Sequence, residues 1–324
     1  MLKKEQKKDK LALFRTTFSI LKKTMSAISS AISIIITVFL VFAFIGFFSL
    51  FLPPFEQKTG NIEIIPIEGI IASSSDNSLL GEKIAQADKL IKELKEANKN
   101  PQIKAIILEI NSPGGAPVAS YELASAIKKI NKTTIAVIRE VGASGAFWAA
   151  TAANKIYANQ MSLTGSIGVL ASHLEFAGIM QKYNVTYRRL VAGKYKDAGT
   201  PYKQMTTDEQ AIYQKILDKL HEQFINAVAQ NRKMSFEQVR AVADGFIILG
   251  SEAKEKGLID EIGGIDEAVT YLEQKLNITA QTFEYKEKAG IKELLAGVLD
   301  KQSFWFGQGF AKALFLQTKP NIAV

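Results

Sequence analysis

No cysteine occurs in the 324 residues, so thiol nucleophiles, thiolate metal sites and disulfides are all excluded. The same absence suits an oxidising compartment without requiring one. Histidine is nearly missing as well, with only His173 and His221 in the chain. A zinc site would need both of them plus carboxylates, and neither lies in an H-E-x-x-H pattern. A Ser-His-Asp triad would have to draw on one of the two. His221 falls in a long amphipathic stretch and reads as surface or core packing; His173 follows a strand and reads as a loop residue. There is no internal repeat. The apolar share of 47% rules out general disorder, and the length allows one or two domains.

Positive charge is present but confined. The net charge is +8, and residues 1–23 carry eight Lys/Arg against Glu5 and Asp9, which leaves only +2 for the rest. The charge is a terminal tag and not a face of the folded body, so a nucleic-acid surface is rejected. Ser26–Leu52 follows, without a charged residue and with Ile34-Ile35-Ile36 and Val38-Phe39-Leu40-Val41-Phe42 at its centre. A helix of that length exceeds the roughly 30 Å hydrocarbon core. Pro53-Pro54 ends it. A cleaved signal peptide would be shorter and would be followed by a small-x-small site, which is missing here. We therefore expect an uncleaved transmembrane helix at 26–52, behind a basic cytoplasmic tail at 1–25. Lys and Arg on the leading side place the N-terminus in the cytoplasm and everything after a linker at 53–60 outside it.

The body then alternates. Asn61–Ala72 reads as a strand, Leu80–Asn98 as an amphipathic helix, and Ile103–Ile110 as a buried strand that runs into Asn111-Ser112-Pro113-Gly114-Gly115. Val118–Ile130 reads as a helix, Thr134–Ile138 as a strand and Ser144–Asn154 as a helix. Ile156–Ala158 and Val185–Leu190 read as strands, with Phe176–Tyr183 a helix between them. Thr206 and Glu209 have capping-box spacing at the head of a helix running to about Asn231. Ser235 caps a shorter helix, and Ile265–Leu276 is another. This alternation predicts an α/β fold with a largely parallel sheet, whose sites form at the carboxyl ends of strands. We expect this domain at 61–285 and a helical extension at 286–324. Phe304-Trp305-Phe306 in that extension fits a membrane surface, a neighbouring subunit or plain packing.

Ser144 sits where the apolar strand turns into the Ala-rich helix, among residues with little side chain. A serine there has its hydroxyl exposed beside free backbone N–H groups, which suits a nucleophile and suits a helix cap equally. Without a usable histidine such a serine needs another base, and lysine can serve when neutral. At the ordinary pKa of ~10.4 only about one lysine in a thousand is neutral near pH 7.5, so burial or a close positive charge is required. Backbone N–H groups of Gly114 or Gly115, and of Gly145, are candidate oxyanion donors.

Taken in order, Asn111–Gly115, Gly142-Ala143-Ser144-Gly145, Leu163-Thr164-Gly165-Ser166-Ile167-Gly168, Gly193–Asp197, Asp244-Gly245 and Gly257–Gly264 resemble the signal peptide peptidase A (SppA) family, over about residues 61–275. The resemblance implies a ClpP/crotonase-like fold and a membrane-anchored serine endopeptidase with a Ser-Lys dyad. It implies Ser144 as nucleophile, Lys196 as general base, Ser166 as the hydroxyl holding the lysine, and Gly114 and Gly145 at the oxyanion hole. Lys194 is the competing base, Ala146 stands where many members have a second glycine, and Asp197 reads as a loop or salt-bridge residue. The implied substrates are signal peptides or other apolar peptides at the outer face of the inner (plasma) membrane, with no cofactor and no metal. Short forms of the family assemble into homo-oligomeric rings whose sites are shared between protomers. The alternatives are a membrane-protein quality-control protease of the same fold, a crotonase-type CoA enzyme and a catalytically silent membrane scaffold.

Overall fold

The computed structural model describes residues 60–74 and 83–284, with helical positions at 22, 25–26, 28–30, 32–44 and 47. It divides into two units, Met1–Lys58 and Thr59–Val324. In the first, 32–44 is one continuous helix whose apolar side chains, Ile32 to Phe44, stand exposed. The expected span at 26–52 lies partly outside the described residues, and among the described residues no helix is long and apolar enough to cross a membrane. The expected extension at 286–324 lies outside them altogether.

The second unit opens with β1 (Ile62–Glu68), β2 (Ile70–Ala72) and β3 (Ile84–Gln86), followed by α1 (Ala87–Lys99). Next come β4 (Ala105–Ser112), α2 (Pro117–Lys128), β5 (Thr133–Ala143), α3 (Gly145–Thr151), β6 (Lys155–Ala158) and β7 (Leu163–Gly165). After α4 (Ala177–Lys182) the long α5 (Thr207–Arg232) leads to α6 (Phe236–Arg240), β8 (Ile247–Leu249) and α7 (Gly250–Glu255). β9 (Glu261–Ile262), α8 (Ile265–Leu276) and β10 (Thr282–Glu284) complete it.

The main sheet runs β10-β1-β4-β5-β6-β9, parallel throughout. β5 has eleven residues and outlasts its neighbour. Its first half pairs with β6 and its end with β7, Val141 opposite Leu163 and Ala143 opposite Gly165. β8 adds antiparallel to β7. The fold is thus mixed α/β with a mostly parallel sheet, consistent with a ClpP/crotonase-like architecture. Residues 105–108 of β4 are fully buried, because helices cover both sheet faces. α1, α2 and α3 pack on one side with Leu94, Leu123 and Phe147; α8 packs on the other, with Ala268 and Leu272 against Ile62, Ile107 and Val137.

Two expected boundaries change. Ile84–Gln86 is a strand and not the first turn of a helix, because it pairs in parallel with Ile70–Ala72. Val185–Leu190 is irregular: its β-branched pattern is right for a strand, but among the described residues no ladder partner lies beside it. It belongs to an exposed arm between β7 and α5. From 170 to 196 every residue but Ala177 and Met180 is exposed, Leu170 at 84% and Leu190 at 97%. α5 does begin with the capping box that the spacing predicts, Thr206 and Glu209 exchanging bonds, and α8 has the bounds read from sequence.

One partly buried ion pair ties α5 to the sheet. Asp260 accepts from Arg232 Nη1 and Nη2 at 2.9 and 2.8 Å and from the Ile156 N–H at 2.7 Å. Burial alone would raise the carboxyl, but the Arg232 guanidinium more than offsets this and holds it below the usual range. A depressed carboxyl stabilises the fold above its unfolded pKa of about 3.9 and loses that stabilisation as pH falls through the folded value. Asp260→Asn is therefore expected to cost about 2–3 kcal/mol at pH 7, because it leaves the buried Arg232 charge uncompensated. Denaturant melts of both proteins should converge as pH drops below about 4; a constant gap would refute the linkage.

Candidate active site

The carboxyl ends of β4 and β5 are brought level by side-chain and backbone bonds. The register shifts between Ile110 and Ser112, and Asn111 Oδ1 accepts from the Val141 N–H at 3.2 Å. The loop after β4 and the turn after β5 then meet. Gly114, at φ 96°, lies so close to the turn that a Cβ there would stand 2.6 Å from Gly145 N and 2.9 Å from Ser144 Cβ. Gly115 is held by Ile71, whose N–H donates to Gly114 O and whose carbonyl accepts from Ala116 N–H, both at 2.9 Å.

Ser144 occupies the turn itself with φ 52° and ψ −126°, a conformation that non-glycine residues rarely adopt. Its N–H donates to Gly165 O and its carbonyl accepts from Trp148 N–H, both at 2.9 Å. This over-determined backbone offsets strain of about 1–3 kcal/mol and points the side chain outward. Ser144 Oγ caps nothing, and among the described residues it has no hydrogen-bond partner.

Ser144 opens onto a cleft of about 750 Å³. Gly115, Gly145 and Ser166 line it with Ser144, and Trp148, Phe224, Val169 and Leu170 give it an apolar wall. Ser166, also at positive φ (50°), donates from Oγ to Gly245 O at 2.9 Å, which leaves its lone pairs available to a donor. Gly145 N–H, first in its helix, has no intrahelical acceptor, and the Gly115 N–H has no acceptor among the described residues. Gly114 stands behind this wall, buried, its N–H donating to Ser112 Oγ at 3.1 Å.

Lys196 is not among the lining residues. It stands exposed on the arm, in a turn where its own N–H donates to Gly193 O at 3.2 Å. Its amine makes no hydrogen bond or ion pair among the described residues. The rival base Lys194 is differently placed. Tyr195 and then Asp208, at 3.3 Å, hold its amine above the ordinary lysine value, the direction opposite to what a base needs. The structure thus gathers Ser144, Gly145 and Ser166 at one cleft and sets Lys196 apart from them.

Two cleft residues escaped the sequence reading. His221 Nε2–H donates to Ile167 O at 3.0 Å, so this helix histidine faces the cleft beside Ser166. Ser120, 1% exposed, places Oγ against Gly145 Cα, without a hydrogen-bond partner among the described residues. Nothing in a helical serine marks it in sequence.

A serine on a tight strand-to-helix turn, in a cleft with an apolar wall that also holds two spare N–H groups, has the ingredients of acyl transfer. Comparison with known proteins gives the family. Residues 126–279 match peptidase family S49. The chain is 31% identical over 237 residues to a protein of Enterococcus faecium provisionally named signal peptide peptidase SppA, covering 71% of this chain and 69% of that one. It is 33% identical over 233 residues to a provisionally named protease of Methanocaldococcus jannaschii, covering 70% and 74%. It is 32% identical to the chloroplastic serine protease SPPA of Arabidopsis thaliana, over 59% of this chain and 29% of that one. The chain belongs to peptidase family S49, and is a serine protease of the SppA-like kind.

Proposed function

We propose that this protease is anchored in the plasma membrane and cleaves signal peptides or other apolar, extended peptides at the membrane's outer face, with a dyad completed between two copies of the chain. The observation that carries this reading is that, among the described residues, the nucleophile and the base are both unpartnered: Ser144 Oγ in the cleft, Lys196 Nζ on the exposed arm. A second copy would supply what each lacks. It would also bury the arm's Leu170, Leu174, Ile179 and Leu190, each worth about 1.5–3 kcal/mol when removed from water. The same burial is what keeps a lysine neutral. Trp148, Phe224 and Val169 favour apolar substrate side chains, and the uncharged, mostly apolar surface of helix 32–44 favours a membrane anchor.

In the reaction, Ser144 Oγ attacks the scissile carbonyl carbon as its proton passes to Lys196 Nζ. The N–H groups of Gly145 and Gly115 receive the oxyanion. Collapse of the tetrahedral intermediate breaks the C–N bond, and the lysine returns the proton to the leaving amine. Water, deprotonated by the same amine, then releases the acyl group. Ser166 accepts a hydrogen bond from the lysine and orients it.

The test is a mixing experiment on the detergent-solubilised protein. Ser144→Ala and Lys196→Ala, each inactive alone on an apolar signal peptide, should regain activity when co-assembled, to about a quarter of wild type if pairing is random and each site draws on two chains. Co-expressed mutants that assemble yet stay inactive would end the shared-site reading.

A further inference from the structure

Lys196 lies between two residues that one arginine grips. Arg189 Nε and Nη2 bind Asp197 Oδ2 and Oδ1 at 2.5 and 2.8 Å, and Nη2 also reaches Lys194 O at 3.0 Å. The fork therefore spans the residues on either side of Lys196. The turn is braced a second time by Tyr213, whose hydroxyl donates to Ala198 O at 2.9 Å and fills the space beside Gly199. Asp197 is only 10% exposed although it sits on an exposed arm. We infer that Arg189 and Asp197 are positioning residues for the general base: the pair fixes the Lys196 turn, and the arginine neutralises the one carboxylate adjacent to the lysine.

The electrostatic part follows from sign. A bare carboxylate next to a lysine favours its ammonium form, which cannot accept the serine proton. A carboxylate locked in a bidentate pair with arginine has its charge cancelled nearby, and the guanidinium adds positive potential that opposes the ammonium. Other charged and titratable groups near this turn have partners of their own, Tyr195 against the Lys194 amine among them. Lys194 meets Asp208, and Lys203 meets Glu209 at 2.5 Å, both acids lying on α5; Tyr187 packs on Tyr202. Arg189 holds the Asp197 carboxyl below the ordinary range, in keeping with a standing pair at neutral pH. Arginine is needed for this arrangement because lysine cannot make the fork that reaches both Asp197 and the Lys194 carbonyl.

The inference rests on Lys196 as the base, and the experiment separates the two. The full-length, assembled protein is assayed on an apolar signal peptide from pH 6 to 10 as wild type, Lys196→Ala, Arg189→Gln, Arg189→Lys and Arg189→Gln/Asp197→Asn. Arg189→Gln should move the acidic limb of kcat/KM upward by about one pH unit and so lower activity near neutrality about tenfold. The double variant, with neither charge, should return the limb toward wild type while kcat stays low, because the turn is no longer gripped. Arg189→Lys should keep the limb and lose kcat with KM little changed. A purely structural role would lower the rate in all three without moving the limb, and that result overturns the electrostatic inference. Should Arg189→Gln not assemble, Asp197→Asn decides instead: an arginine left without its carboxylate should move the limb downward, and a limb that does not move overturns the electrostatic inference. Activity in Lys196→Ala would instead refute the base assignment itself.

Discussion

Ser144→Ala is expected to lower kcat/KM by about four to six orders of magnitude while leaving the fold and the assembly intact. The size of the loss follows from the role: without the hydroxyl no acyl-enzyme forms, and only the oxyanion donors and substrate binding continue to act. The fold survives because alanine keeps the Cβ, so the strained φ of 52° is no worse for it than for serine. The backbone bonds to Gly165 O and from the Trp148 N–H do not involve the side chain. Peptide hydrolysis and labelling with a serine-reactive fluorophosphonate measure the two aspects together. Wild type should carry one label per chain and the variant none. A variant that still turns over substrate would move the nucleophile elsewhere, with Ser166 and Ser120 the next serines of the cleft.

Gly145→Ala should also be damaging, though by far less, and for a different reason. A Cβ at this position would stand 2.1 Å from Ser120 Oγ and 2.8 Å from Ser120 Cβ. Ser120 is buried in the first turns of α2 and cannot withdraw. α3 must shift instead, carrying Ser144 and the Gly145 N–H out of register with the Gly115 N–H. A displacement on the order of 1 Å at reacting atoms costs about 100-fold in rate. The collision has a specific remedy. Ser120→Gly removes both clashing atoms and leaves Gly115 N, at 3.4 Å, as the nearest neighbour. The double variant Gly145→Ala/Ser120→Gly should therefore recover to within about tenfold of Ser120→Gly alone, itself destabilised by about 1 kcal/mol as a helical glycine. Steady-state kinetics on the four proteins decide the matter. A double variant as slow as Gly145→Ala would show that the glycine is needed for something other than the room it leaves.

The sequence was most readable where a long pattern dictates one structure. β4 and β5 are apolar runs ending in glycine-rich turns, and those turns are where Ser144 and Gly115 meet. Thr206–Glu209 and Ser235–Gln238 announce their helices through capping boxes that the fold forms. Short elements left no such signal. β3, β8 and β10 have three residues each, too few for a period to register, and exist because a neighbouring strand offers them a ladder. Val185–Leu190 shows the converse, a good strand pattern without a neighbour. Contacts across long separations were equally hidden. His221 and Ile167 are 54 residues apart, and nothing local to either foretells their bond. The placement of Ser120 depends on α2 crossing α3, which no spacing within α2 encodes. The Arg189–Asp197 pair was half visible: Asp197 was expected in a loop or a salt bridge, but its partner only becomes apparent once the arm folds back on itself.

Trp148 stacks on Phe224 with ring centroids 4.7 Å apart and the planes within 10°, and Tyr121 meets its edge at 5.9 Å. Besides walling the cleft, this indole is an optical gauge built into it. The chain's one other tryptophan is Trp305. With Trp305 replaced by phenylalanine, every photon of indole emission would originate in the cleft that holds Ser144. Loading and emptying of the cleft could then be followed in real time, without a label and without a cleavable substrate, even in a Ser144→Ala protein that binds peptides and never releases them as products.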